Sequence, residues 1–172
     1  MSQRALIVID LQNDYFPDGK FPLWNTEETL ANVETAIAKA RSNGIPVIIV
    51  QHIADDTKGT APFFNKGTIG AETHPRILAA APDAIQVIKS TADSFINTAL
   101  EETLQQLRVE ELLICGMMTQ NCVTHTAISK TADRYKVTVL SDCCTTVSQM
   151  IHLIALNALS NRVAIARSSD VL

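Results

Sequence analysis

The chain has 172 residues, of which 47% are hydrophobic and 19% are charged. This size and composition allow one hydrophobic core, so we expect a single domain over residues 1–172. The formal net charge of -4, with no block of Lys and Arg, argues against nucleic acid or an anionic membrane as the main partner, because both require concentrated positive charge.

The N-terminus and the cysteines predict a cytoplasmic protein. The apolar run Ala5–Ile9 is too short for the core of a signal peptide. No stretch reaches the roughly 18 uninterrupted apolar residues of a membrane helix. The four cysteines are Cys115, Cys122, Cys143 and Cys144. Their spacing is not the disulfide framework of a small secreted domain, so we expect free thiols in a reducing compartment.

Short apolar runs rich in Val and Ile recur along the chain, and continuous hydrophobicity of this kind predicts parallel strands covered on both faces. The predicted strands are Ala5–Ile9, Ile45–Val50, Ala84–Ile88, Glu111–Cys115, Val137–Leu140 and Val163–Ala166. Segments with helical spacing lie between them, such as the one that contains Leu30, Val33 and Ile37. The alternation predicts an α/β fold, a single-domain three-layer α/β/α arrangement with a mostly parallel six-stranded sheet.

One long stretch, from Gln51 to about Pro82, shows neither pattern and is predicted to be irregular. Loops of this length in a compact domain are usually functional. The apolar residues Phe63, Phe64 and Ile69 within it favour a lid or an oligomer contact over a disordered insertion.

Three polar residues follow predicted strands and are candidates for chemistry. Asp10 closes the first strand, Lys89 closes the third, and Cys122 follows the fourth after a short turn. In a parallel doubly wound sheet the ligand site lies beyond the carboxyl ends of the strands, so these side chains should meet there. Considered alone, Asp10 also suits a helix or turn cap, and Lys89 suits a solvated surface position.

Cys122 is the most informative candidate. The run Gln120–Thr131 has helical spacing, so Cys122 is expected in a first helical turn, where N–H groups and the helix dipole stabilise an anion. A free cysteine has a pKa of roughly 8.5, and a helix N-terminus or a nearby lysine lowers this to neutral or below. The alternative is a buried thiol that acts as a small apolar side chain, which fits Cys115 inside a strand.

Four segments resemble the isochorismatase-like cysteine hydrolase family, in the family's order and over nearly the whole chain. They are Ile9–Phe16, Lys66–Glu72, Lys89 to Phe95 with Thr98 and Leu100, and Gly116–Thr126. The resemblance implies an isochorismatase-like, Rossmann-like fold and a catalytic triad of Asp10, Lys89 and Cys122. In the corresponding mechanism Asp10 accepts the thiol proton, Cys122 attacks a carbonyl carbon and Lys89 holds both charges.

The resemblance also implies a non-proline cis peptide before the threonine of the Gly-x-x-Thr-x-x-Cys motif, here between Met118 and Thr119. The backbone N–H groups of Thr119 and Cys122 are then expected to form an oxyanion hole for the substrate oxygen. Removing one such donor typically reduces transition-state stabilisation by about 3 to 4 kcal/mol.

Departures from the family pattern restrict the chemistry. Family amidases that act on nicotinamide-like rings carry an Asp-x-His and further histidines after the second strand as metal ligands. Here that place reads Gln51–Asp56, and His52 alone cannot build such a site, so we expect no metal. Members that cleave isochorismate, a vinyl ether, lack the cysteine, so Cys122 favours the amide branch.

Four further side chains are predicted to line a substrate pocket: Gln12, Phe16, Trp24 and His125. The first three follow the first strand, and His125 comes one helical turn after Cys122. Apolar loop packing explains Phe16 and Trp24 equally well.

The sequence therefore predicts a hydrolase without a cofactor that cleaves a carbon–nitrogen bond of a small amide-like substrate through a thioester on Cys122. The substrate could be a nicotinamide-like ring, an N-carbamoyl or ureido compound, or a nitrile-derived amide. A thiol redox protein, prompted by the Cys143–Cys144 pair, and a non-catalytic binding protein of the same fold are the alternatives. The resemblance also implies a homo-oligomer, a dimer or larger.

Overall fold

One sheet of six strands organises the chain in the computed structural model, which describes residues 3–172. The strands are β1 (Arg4–Ile9), β2 (Val47–His52), β3 (Ile85–Lys89), β4 (Glu111–Met117), β5 (Lys136–Thr145) and β6 (Ala164–Ala166). Their order across the sheet is β3-β2-β1-β4-β5-β6, and every pair of neighbours is parallel. The predicted strands and the predicted fold class are confirmed.

The helices complete the three layers. They are α1 (Thr26–Ser42), α2 (Pro75–Ala80), α3 (Leu100–Gln106), α4 (Thr124–Ala127), α5 (Gln149–Leu159) and α6 (Ser168–Val171). Helix α1 contacts both α2 and α6 on one face of the sheet. Right-handed crossovers place α3, α4 and α5 on the other face, because the chain there steps across the sheet in the opposite direction.

Burial on both faces explains the continuous hydrophobicity of the central strands. Ala5–Ile9 of β1 has no exposed surface, and Leu112–Cys115 of β4 is equally buried. Helix α1 has the acidic residues Glu27 and Glu28 in its first turn, where they complement the helix dipole. None of the helices within residues 3–172 combines the length and the apolar character that a bilayer crossing requires.

The stretch from Gln51 to Pro82 is more regular than the sequence predicted. It includes the end of β2, helix α2 and two short 3-10 turns at Asp56–Lys58 and Ile69–Ala71. Phe64 is buried and its ring lies 4.5 Å from that of Tyr15, so it packs within its own chain. The prediction failed because contacts with the segment after β1 order these residues, and local periodicity does not report such contacts.

The strand order reverses between β1 and β4, which creates the crevice where ligands bind in doubly wound sheets. The two strands approach closely at Gly116, whose φ is +126°. A Cβ atom there would lie 2.0 Å from the carbonyl oxygen of Ile9. Glycine at this position therefore lets the end of β4 lie directly against the end of β1.

Candidate active site

Asp10, Lys89 and Cys122 meet at the carboxyl edge of the sheet, beside the β1–β4 crevice. Lys89 Nζ lies 2.9 Å from Asp10 Oδ2, and both side chains are fully buried. The same ammonium donates to Cys122 Sγ at 3.2 Å. Three residues from distant parts of the chain thus form one charged cluster in the protein interior.

The strand ends place each member of this cluster. Asp10 follows β1 directly with a φ of 54°, and its N–H donates to the carbonyl of Val50 at the neighbouring strand. Lys89 is the last residue of β3. Cys122 lies in a π-helical turn, Thr119–Val123, that follows β4 and continues into α4.

Lys89 is surrounded by acceptors. Within 3.2 Å of Nζ lie Asp10 Oδ2, His52 Nδ1, the Thr91 carbonyl oxygen and Cys122 Sγ. Burial by itself lowers the pKa of Lys89, but the Asp10 carboxylate and the hydrogen bonds of the ammonium to Asp10 and Cys122 outweigh it, so the pKa is raised. The lysine therefore remains an ammonium.

The predicted lowering of the pKa of Cys122 is not found. Burial raises the pKa of this thiol, the Asp10 carboxylate raises it further, and the Lys89 ammonium only partly opposes them. Sequence reasoning anticipated the lysine and the helix start but not that Cys122 is only 3% exposed. Cys122 therefore rests as a neutral thiol with a base and an ammonium beside it.

The non-proline cis peptide lies between Met117 and Met118, one bond earlier than the predicted Met118–Thr119 bond. It joins the last residue of β4 to the residue before the π-helical turn. The motif located the turn correctly, but spacing could not identify which of its peptide bonds is cis. Thr119 is fully buried, and its hydroxyl lies 2.8 Å from Nδ1 of His152.

Gln12 does not line a pocket with its side chain, contrary to the prediction. It is fully buried, and its amide nitrogen donates to the carbonyl oxygens of His52 at 2.8 Å and Ala71 at 2.7 Å. Its amide oxygen accepts from the N–H of His52 at 2.8 Å. With these bonds made, the side chain is a structural clamp between the segments after β1 and β2.

The other predicted pocket residues contact side chains or backbone outside the cluster. Phe16 packs on His74, with ring centroids 4.3 Å apart. The ring of Trp24 lies 6.1 Å from that of His152, beside α5. His125 is exposed, and its Nδ1 contacts the carbonyl of Asn121 in the preceding turn. His125 comes one helical turn after Cys122 in the sequence, but its side chain lies on the solvent side of the helix.

Sequence analysis missed two residues of the cluster's surroundings. His52 was considered only as an insufficient metal ligand, yet its ring contacts Lys89. The signal was weaker than for Lys89, because His52 comes two residues after the predicted strand Ile45–Val50 and not directly after it. Tyr15 is buried nearby, and burial followed by the charge of Asp10 raises its pKa, so its hydroxyl stays protonated.

Three potential metal ligands lie close together, but their arrangement does not suit a metal. One ligand atom each of Asp10, His52 and Cys122 lies within 4.8 Å of the others. Lys89 Nζ is within hydrogen-bond distance of all three. A divalent cation among them would stand beside an ammonium in a poorly screened interior, which Coulomb repulsion opposes. The cluster is built around the lysine.

Fold and site together define the class: a doubly wound α/β protein with a cysteine, a carboxylate and an ammonium buried at the strand-order reversal. The chain matches the model of the isochorismatase domain over residues 4–171. This protein belongs to the isochorismatase family.

Individual relatives support this assignment. The chain is 38% identical over 147 residues to the uncharacterised isochorismatase family protein YddQ of Bacillus subtilis (strain 168), covering 86% of this chain and 80% of YddQ. It is 30% identical over 152 residues to the ureidoacrylate amidohydrolase RutB of Enterobacter sp. (strain 638), covering 71% and 66%. The crystal structure of an isochorismatase hydrolase from Oleispira antarctica matches with a TM-score of 0.87 and 32% identity, covering 98% and 95%.

Proposed function

We propose that this protein is a cysteine hydrolase that cleaves a carbon–nitrogen bond of a small amide, carbamoyl or ureido compound. The contact of one buried ammonium with both Asp10 and Cys122, at 2.9 and 3.2 Å, carries the proposal. A charged pair in the interior requires considerable compensation, and a cluster of this kind is typical of active sites. The similarity to an amidohydrolase supports the type of bond.

Because the thiol is neutral, the mechanism requires a general base, and Asp10 takes this role. Asp10 accepts the proton of Cys122 as the sulfur attacks the carbonyl carbon, and Lys89 stabilises the sulfur before the bond forms. Asp10 then returns the proton to the leaving nitrogen, and the carbon–nitrogen bond breaks to leave a thioester. Water, deprotonated by Asp10, attacks the thioester, which releases the acid and restores the thiol.

The oxyanion of each tetrahedral intermediate requires donors near the sulfur. In this mechanism the N–H groups of Thr119 and Cys122 supply them, because N–H groups of a first helical turn lack partners within the helix. The bond between the Thr119 hydroxyl and His152, together with the bond from the Thr124 hydroxyl to the Thr119 carbonyl at 2.6 Å, keeps this turn in place.

Burial of the cluster favours a small substrate. Asp10 has no exposed surface, and Lys89 and Cys122 are 2% and 3% exposed. A protein chain or another polymer could not bring its bond to a sulfur so enclosed. A primary amide of a few heavy atoms, or a carbamoyl or ureido group on a small molecule, fits this restriction.

Ammonia release from a panel of small primary amides, carbamoyl compounds and ureido compounds tests the proposal. We expect Cys122→Ala and Asp10→Asn to lose at least about 1,000-fold in kcat for any compound that the parent hydrolyses. Lys89→Ala is expected to lose at least about 100-fold, because the sulfur loses its electrostatic partner. All three variants should remain folded by circular dichroism.

Cys143→Ala is the matched control, since Cys143 is also a buried free cysteine but does not contact Lys89. It should retain the activity of the parent. Hydrolysis by Cys122→Ala at the parental rate would show that the nucleophile has been assigned wrongly. No hydrolysis of any compound by the parent would favour the non-catalytic alternative.

A further inference from the structure

A histidine beside the proposed catalytic lysine has no part in the mechanism above. His52 ends β2 as Lys89 ends β3, and the two residues are partners in the register of these strands. This pairing brings His52 Nδ1 to 2.9 Å from Lys89 Nζ. We propose that His52 is a positioning residue that accepts a hydrogen bond from Lys89 and so keeps the ammonium between the carboxylate and the sulfur. The inference rests on the proposed function.

The charge state of His52 suits this role. An imidazole accepts at Nδ1 only if it is neutral and carries its proton on Nε2. Burial lowers the pKa of His52, the Lys89 charge lowers it further, and Asp10 opposes both less strongly. At neutral pH the ring is therefore neutral. The facing ammonium selects the tautomer with the lone pair on Nδ1, since two donors cannot share one hydrogen bond.

Gln12 fixes His52 from the other side. Its side-chain amide both donates to the carbonyl and accepts from the N–H of His52, at 2.8 Å in each case. Gln12 lies two residues after Asp10, so the amide ties the end of β2 to the segment that carries the carboxylate. Both backbone groups of His52 are therefore bonded to Gln12, and these bonds fix the position from which the imidazole side chain extends.

A fixed neutral partner keeps Lys89 from being drawn wholly to the carboxylate. An ammonium has three hydrogens, whereas four acceptors lie within 3.2 Å of Nζ. The contact with sulfur is the longest of the four. Without His52, we expect the flexible lysine to settle on the Asp10 carboxylate, which attracts it most strongly, and to leave Cys122.

The rate at which iodoacetamide alkylates Cys122, followed by peptide mass spectrometry at a fixed mildly alkaline pH, tests this role. His52→Leu should slow alkylation about tenfold, as expected for the loss of one hydrogen bond to a charged group. His52→Asn should react within about threefold of the parent, because its amide oxygen reaches the position of Nδ1. Parental or faster alkylation of His52→Leu, or equally slow alkylation of His52→Asn, would overturn the proposal.

A third variant and a control complete the experiment. His52→Gln keeps a polar side chain but reaches one bond farther, so it should be as slow as His52→Leu; it serves if the leucine variant does not fold, and a parental rate would contradict the proposal. His74→Leu is the control, since this half-buried histidine packs on Phe16 and should leave the rate unchanged.

Alkylation requires no turnover, so the two proposals fail separately. A protein that hydrolyses nothing but shows the His52 dependence would contradict the hydrolase function alone. Once a substrate is found, kcat of His52→Leu should fall about tenfold while KM changes less than about twofold, because the ammonium acts on the reacting sulfur.

Discussion

Three influences act on the protonation of the Cys122 thiol, and they oppose one another. Burial and the Asp10 carboxylate favour the neutral form, whereas the Lys89 ammonium favours the thiolate. The first two prevail, so in the proposed mechanism the thiolate forms only when a substrate is present and Asp10 takes the proton. Such a thiol avoids the oxidation to which a permanently ionised one is exposed.

The alkylation rate of Cys122 as a function of pH tests this state of the thiol. Because the pKa is raised, the thiolate fraction should keep rising about tenfold per pH unit through neutral and mildly alkaline pH without levelling off. Cys122 should nevertheless react fastest of the four cysteines. Burial raises the pKa of Cys143 as well, this residue has no exposed surface, and no ammonium contacts its sulfur in the described part of the chain.

A plateau near neutral pH would contradict this prediction, since it would mean that Cys122 is ionised in the free protein. Lys89→Met gives a matched comparison. Without the ammonium, the reaction of Cys122 should slow at every pH, whereas the rate at Cys143 should stay the same.

At the scale of the elements, the site depends on how closely β4 lies against β1. Gly116 has a positive φ that other residues rarely adopt, and a side chain would meet the backbone of Ile9. Both strands lead directly into the site, one into Asp10 and the other into the turn that carries Cys122. Strand packing and site geometry are therefore coupled at this glycine.

Gly116→Ala should destabilise the protein by about 3 kcal/mol or more, because the new Cβ clashes with backbone that cannot move without disrupting the sheet. Gly44→Ala is the control: it also has a positive φ, but nothing lies near its Cβ position. We expect that change to lower stability by only about 1 kcal/mol. Urea denaturation measures both, and equal losses would show that the close approach is unimportant.

At the scale of the whole molecule, assembly into a homo-oligomer remains a prediction. Phe64, which the sequence offered for an oligomer contact, is buried within its own chain. Helix α5 instead exposes several large apolar side chains, namely Met150, Ile151, Leu153 and Ile154. Contiguous exposed apolar surface of this kind is uncommon in monomers.

Static light scattering tests the assembly. We expect a mass of at least twice the 18.7 kDa of one chain. The mass should persist at high salt, since apolar contacts are not screened. A mass of one chain over the whole concentration range would contradict the prediction.

The sequence by itself determined the architecture and the three central residues of the site. Continuous apolar runs predict buried parallel strands wherever they occur, and parallel strands bring their carboxyl ends to one edge. Asp10, Lys89 and Cys122 could therefore be placed together from their positions after strands, without knowledge of any contact.

Only the tertiary structure decided the protonation and the hydrogen bonds of the site. The pKa of Cys122 depends on burial by distant segments, the inward direction of Gln12 depends on its bonds to His52 and Ala71, and the contact of His52 with Lys89 depends on strand register. These features arise from residues far apart in the chain. Local periodicity and motif spacing carry no information about contacts between residues that are far apart in the chain.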